Sequence, residues 1–134
     1  MLINGLTNII NGPKLSIRAF TAARGETQEM IVEERCYVLR MPHGPQDYLA
    51  LYEAEGLAVQ RSILGRLLGY FHTEVGGLNT MVHLWGYDSF DERMRRRAEL
   101  AADPAWQAYL ARIRPLIESM SNRLLVPAPF SPIR

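Results

Sequence analysis

Apolar residues flank a short charged stretch from Ile31 to Arg40, IVEERCYVLR, a run with β-branched and aromatic side chains that ends at Pro42-His43-Gly44-Pro45. That composition and terminator predict a strand, whose side chains alternate between two faces. Ile31, Glu33, Arg35, Tyr37 and Leu39 fall on one face, and Val32, Glu34, Cys36 and Val38 on the other. From Pro45 to Leu64 the period becomes helical, with Tyr48, Tyr52, Val59 and Ile63 in one stripe and Leu49 beside it. Pro45 suits a first helical turn, where its missing N–H is not needed. Gly56 inside the helix predicts a kink or a close backbone contact, because glycine there costs about 1 kcal/mol relative to alanine. Residues 66–75 and 79–87 read as two strands around Gly76-Gly77, a tight-hairpin signal. A two-residue loop puts Tyr70, His72 and Glu74 on one face with Met81, His83, Trp85 and Tyr87. Gly69, Phe71, Thr73 and Val75 then share the other face with Val82, Leu84 and Gly86, which reads as ordinary core.

Asp88 or Ser89 caps a helix running to about Ala102, with Glu92 at capping-box distance from Ser89, and Asp103-Pro104 opens another. Trp106, Tyr109, Leu110, Ile113 and Ile117 recur along that helix at core-facing spacing, with Pro115 disturbing its end. Residues 123–126 read as a last short strand, before a tail holding Pro127, Pro129 and Pro132. The order β-α-β-β-α-α-β predicts an α+β fold of the ferredoxin-like class, an antiparallel sheet with helices on one face. The face carrying Tyr70, Met81, Trp85 and Tyr87 is expected to be the uncovered one, and it is too apolar to rest in water. A homodimer with sheets packed face to face is the simplest cover. Cys36 falls on the side then expected to meet the helices and reads as a small buried hydrophobe.

A chain of 134 residues, 48% hydrophobic and 22% charged, is that of one globular domain. A net charge of +1 gives no reason to expect a nucleic acid partner, and no apolar run is long enough to span a membrane. One cysteine excludes an internal disulfide and fits a reducing, cytoplasmic setting. Residues 1–29 differ from the rest, and residues 30–134 hold the domain. The stretch 14–24, KLSIRAFTAAR, is basic and without acid, faintly like a mitochondrial targeting segment. The simpler expectation is an extension in which Ile9, Ile17 and Phe20 do not pack on the core.

Glu33-Glu34-Arg35-Cys36-Tyr37, Gly69-Tyr70-Phe71 with Thr73-Glu74, and Val82-His83-Leu84-Trp85 with Tyr87-Asp88 stand in an order that resembles the NIPSNAP family. Arg93, Arg97 and Asp103-Pro104-Ala105-Trp106 resemble that family's basic helix and the start of its next helix. The resemblance covers residues 30–131, with Glu34 standing where an apolar residue is more usual. It implies a dimeric α+β barrel of two ferredoxin-like sheets, with a cleft between sheet and helices or within the barrel. It does not imply a particular reaction.

Candidate chemistry gathers on the odd face. Glu74, Arg35 and His83 are the catalytic candidates, since a histidine near a carboxylate can move protons and an arginine can steady an anion. Glu33, Tyr37, Tyr70, His72, Trp85 and Tyr87 are the candidate ligand contacts. His72 and His83 with Glu74 are an available but unsupported metal shell, and no cofactor motif is present. The run from Glu92 to Arg97 reads as a solvated helix face, with Arg93 and Arg97 placed to clamp a dimer or the mouth of an anion site. Two functions fit: binding of a small, partly apolar molecule with cofactor-independent acid/base chemistry, or a protein-interaction module without catalysis.

Overall fold

The computed structural model describes residues 30–134, so the expectations for residues 1–29 lie outside the described residues. Strand β1 is Ile31–Leu39, and helices α1 and α2 are Pro45–Leu51 and Leu57–Leu64, joined by a π-helical turn at Tyr52–Gly56. Strands β2 and β3 are Arg66–His72 and Thr80–Tyr87. Helices α3 and α4 are Phe90–Ala102 and Pro104–Ile113, and β4 is Ile117–Leu125. One antiparallel sheet has the order β2-β3-β1-β4, so the ferredoxin-like α+β expectation holds.

Helices α1, α3 and α4 start where their capping and first-turn residues predict. Ser89 Oγ accepts the Glu92 N–H at 3.0 Å, and the Glu92 carboxylate accepts the Asp88 N–H at 2.6 Å. Asp103 Oδ1 accepts the Trp106 N–H at 2.9 Å, with Pro104 in the first turn. Asp47 accepts the Gly44 N–H at the start of α1, where Pro45 sits.

The hairpin keeps the expected register, Tyr70 opposite His83 and Phe71 opposite Val82, although its strands stop short of Gly76-Gly77 and residues 73–79 form a wider loop. The assignment of the two sheet faces is corrected. Met81, His83 and Trp85 are fully buried beneath the helices, as are Glu33, Tyr37 and Leu39, whereas Val82, Leu84 and Cys36 are only half-buried on the open side. The odd face wins the helices because it can fill the layer between. Its rings pack with Tyr48, Tyr52, Leu100 and Tyr109, and its polar groups find partners on α3. Strand β4 is longer than expected. Its residues pair with β1 from Leu125 opposite Val32 to Ile117 opposite Leu39, but most are exposed on the sheet edge and so show no hydrophobic alternation.

Tyr48, Tyr52, Gly56, Gln60 and Leu64 are all buried, a repeat of four along the α1–α2 segment. Such a repeat drifts by roughly 40° per step on an α-helix of 3.6 residues per turn. The π turn, closed by i→i+5 bonds, absorbs the surplus and returns Gln60 and Leu64 to the sheet side. This leaves the expected Val59 and Ile63 only partly buried at the edge of the stripe. At the centre of the turn the α4 ring of Tyr109 rests on the Gly56 backbone. A Cβ there would stand 2.8 Å from a Tyr109 ring carbon and 2.9 Å from the Tyr52 ring. Gly56→Ala is therefore expected to destabilise the fold by about 1–3 kcal/mol through overpacking, despite alanine's better helix propensity. Chemical denaturation measures this, and an unchanged or higher midpoint would contradict the close packing.

Candidate functional site

Alternation on β1 places Glu33, Arg35 and Tyr37 under the helices, and Arg93 and Arg97, one turn apart on α3, come down onto the same spot. The Glu33 carboxylate is 0% exposed. Arg93 donates to its Oε2 from Nε at 2.6 Å and also from Nη2. Asn122 of β4 donates to Oε2 at 3.1 Å, and Arg35 Nη1 to Oε1 at 3.4 Å. Arg97 Nη1 stands 3.8 Å from Oε1, an ion pair beyond hydrogen-bond length. Burial alone would raise the Glu33 pKa. The Arg93 hydrogen bond and the charges of Arg35, Arg97 and Arg93 outweigh it and hold the carboxyl below its ordinary value. The Arg35 Nε donates to Tyr37 Oη at 2.8 Å, which aims the guanidinium.

His83 on β3 is 1% exposed. Tyr70 stacks on the ring at 4.5 Å between centroids, and Tyr37 meets it edge-on at 4.9 Å. Trp85 Nε1–H donates to His83 Nδ1 at 2.8 Å. An indole nitrogen can only donate, so the neutral imidazole carries its proton on Nε2. That Nε2 is buried without a hydrogen-bond partner among the described residues, as are Tyr87 Oη and Arg97 Nη1. Burial first, and then the charges of Arg35 and Arg97, push the His83 pKa down to about 3. Burial pushes the Tyr48 phenol up to about 12, and Tyr70 and Tyr109 upward as well. At neutral pH the ring is a neutral N–H donor amid phenols that keep their protons.

Between sheet and helices lies a cavity of about 340 Å³. Arg35, Tyr37, His83 and Arg97 form its polar wall; Leu100, Trp106, Leu110 and Ile113 contribute apolar surface. Of the residues singled out from sequence, Arg35, Tyr37 and His83 line this space. Glu33, Tyr70, Trp85 and Tyr87 are packed around those three rather than on the wall. Glu74 and His72 are exposed, on the hairpin loop and at the end of β2, outside the cluster. Arg93 and Arg97, expected on a solvated face or as a clamp at a dimer or an anion-site mouth, join the cluster through Glu33. Both are largely covered, with side chains 14% and 23% exposed, so the face expected to be solvated is partly an inner wall. Their i, i+4 spacing with Leu100 following is the signal that could have placed them inward. Among the described residues no group of three His, Cys, Asp or Glu side chains gathers to hold a metal. Nor is any helix among the described residues long and apolar enough to cross a membrane.

A four-stranded antiparallel sheet backed by helices, with a cleft between the layers, defines a ferredoxin-like α+β protein. A cofactor-independent oxygenase from Streptomyces nogalater shares this fold at 13% identity and a TM-score of 0.51, over 78% of this chain and 98% of that one. The NIPSNAP family profile matches residues 32–132, and the chain belongs to that family. It is 51% identical to a NIPSNAP family protein from Agrobacterium tumefaciens, with a TM-score of 0.76 over 78% of this chain and 99% of that one. It is 38% identical over 90 residues to human NipSnap homolog 3A, which covers 66% of this chain and 35% of the human protein. The NipSnap homolog of Dictyostelium discoideum is 35% identical over 68 residues, 51% of this chain and 30% of that protein. The chain thus spans about a third of the length of these two curated relatives.

The His83 setting fixes a direction of pH dependence. Above its ordinary pKa of 6.5 the histidine is neutral folded or unfolded, and stability is fully present. Toward the folded value of about 3 the unfolded chain takes up a proton that the buried ring refuses, so stability falls with pH. The slope should approach about 1.4 kcal/mol per pH unit for one proton. Glu33, also held low, adds loss in the same direction at more acid pH. In denaturant titrations between pH 6.5 and 4.5, His83→Gln should flatten the curve. A variant retaining the native slope would show that His83 titrates normally.

Proposed function

We propose that this protein binds a small, partly apolar molecule in the cleft between sheet and helices. The observation that supports this most is a cavity of about 340 Å³ whose wall includes His83, the owner of a buried, unpartnered Nε2–H. An unsatisfied buried donor costs roughly 1–3 kcal/mol, and a ligand acceptor would remove that cost. A pure interaction module has no need of such a cavity. The side chains support charge stabilisation more than proton transfer: His83 stays neutral down to about pH 3 and Glu33 is locked among arginines. Any reaction here would use Arg35 and the His83 N–H to steady negative charge developing on a bound oxygen.

The test is a fragment screen of small aromatic and acyl compounds, read by ligand-observed NMR and thermal shift. Ala101→Trp should fill the cavity mouth and abolish binding in a protein that melts as the native one does. Binding unaffected by this substitution, or no binding across the screen, would retire the cleft as a ligand site.

We further propose that the protein works as a homodimer through the open sheet face, in a reducing, cytoplasmic setting that suits its single cysteine. Support comes from the apolar residues left on that face: Val38, Leu68, Val82 and Leu84 are half-buried and Phe71 is 55% exposed. Each would be covered by the same face of a second copy. The doubly substituted Phe71→Asp/Val82→Asp chain should run as a folded monomer in light scattering where the native chain runs as a dimer. A monomeric native protein would contradict the proposal.

A further inference from the structure

The cavity carries a charge imbalance that narrows its ligand. Its walls include Arg35, Arg97 and, at the exposed rim, Arg114, and no Asp or Glu. The carboxylate of Glu33 lies behind this wall and is shared by Arg93, Arg35, Arg97 and Asn122. Arg93 takes most of it, with both Nε and Nη2 on Oε2. One carboxylate therefore faces three guanidiniums within the protein, and Arg97 is the member left short. Its Nη1 is buried, neighbours the Tyr87 hydroxyl without a well-formed hydrogen bond among the described residues, and stands 3.8 Å from Oε1.

Beside this cationic excess stands a second donor aimed by other means. The indole of Trp85 fixes the His83 proton on Nε2, and that N–H has no acceptor among the described residues. The polar wall thus brings guanidinium and imidazole groups together without a carboxylate, and its acceptors are the phenol oxygens and the amide oxygens of Gln107 and of Gln60, which already takes the Tyr52 O–H. Arg35 already spends its Nε on Tyr37 Oη. Leu100, Trp106, Leu110 and Ile113 supply apolar surface to the same cavity. We infer that the ligand is a small organic monoanion, a carboxylate on an aromatic or short acyl body, with the carboxylate between Arg97 and His83 and the body against Trp106 and Leu110. This rests on the reading of the cleft as a ligand site and adds the charge class.

A carboxylate is acceptor-only and can take both donors at once, in a site where charge-assisted hydrogen bonds are the strong ones. A primary amide of the same shape offers one acceptor oxygen and turns an N–H₂ group toward guanidinium donors. The discrimination should therefore be large, because the wrong group leaves buried donors unpaired.

The experiment compares two probe series on the full chain by NMR titration: 3-phenylpropanoate and octanoate against 3-phenylpropanamide and octanamide. The expected result is that each acid binds at least tenfold more tightly than its amide, with the preference shrinking as salt rises. Arg97→Gln should cut that preference to threefold or less while leaving amide binding within twofold, and Arg97→Lys should restore part of it. Glu33 keeps Arg93 and Asn122 in these variants, and a native-like spectrum verifies the fold. Amides that bind as tightly as the acids would overturn the charge class and leave the cleft reading standing. Absence of binding by both series at tens of millimolar would overturn both. A preference that survives Arg97→Gln unchanged would overturn the assignment of the carboxylate to Arg97.

Discussion

A carboxylate removed from water is an expensive thing for a fold to carry, and Glu33 at 0% exposure is the group around which the rest is arranged. Burying an ion costs several kcal/mol even after relaxation, and the cost is recovered only when geometry and hydrogen bonds are good. Here the partners come from three elements: Arg35 on β1, Arg93 and Arg97 on α3, and Asn122 on β4. The consequence is positional. Helix α3, FDERMRRRAELAA, has Leu100 as its one fully buried residue among much charge. It has little apolar surface with which to choose an angle against the sheet. The Arg93–Glu33 contact chooses it, and once Arg93 is set, Arg97, Leu100 and Ala101 follow on the same side and become cavity wall.

The order of elements was legible because each boundary has a local chemical cause, such as Ser89 with Glu92 or Asp103 with Pro104. The hairpin register was legible too, since aromatic and β-branched runs flank a glycine pair, although residues 73–79 open into a wider loop than that pair suggests. Which face of the sheet meets the helices was not. A face with Glu33, Arg35 and His83 looks less like core than one with Val82 and Leu84 when read one strand at a time. Only the three-dimensional arrangement reveals that α3 brings the compensating charges. Arg93 and Arg97 stand out in the sequence as a possible clamp, but their carboxylate does not: a basic run on a helix looks identical whether its partner is four residues away or sixty. Arg96 does pair with Glu92 at i, i+4, at 2.7 Å, so the two kinds of arginine alternate within one run.

The site itself shows how a group suited to acid/base chemistry in isolation becomes something else by its surroundings. Trp85 takes the lone pair of Nδ1, and Tyr37 and Tyr70 enclose the ring. Arg35 and Arg97 add positive charge that makes a further proton unwelcome. Each contact removes one of the roles open to histidine, and the Nε2–H donor is what remains. The glutamate that sequence proximity offered as its partner, Glu74, lies exposed on the hairpin loop. Glu33 is the carboxylate of the cluster, and it serves to hold arginines.

Low dielectric raises the stakes of every polar contact in this arrangement. The surroundings that depress the histidine pKa also strengthen any hydrogen bond made there and raise the cost of leaving a donor unpaired. Unpaired Nε2–H and Arg97 Nη1 are tolerable only because the rest of the cluster is over-determined: Glu33 alone has four partners, and the tyrosines hold one another, as in the 2.7 Å contact between Tyr48 and Tyr70. Partners are thus concentrated behind the wall, and of the three unpartnered buried atoms among the described residues two belong to wall residues, His83 and Arg97, and one to Tyr87 behind it. The open face of the sheet is of another kind. There Val82, Leu84 and Phe71 offer apolar area without direction.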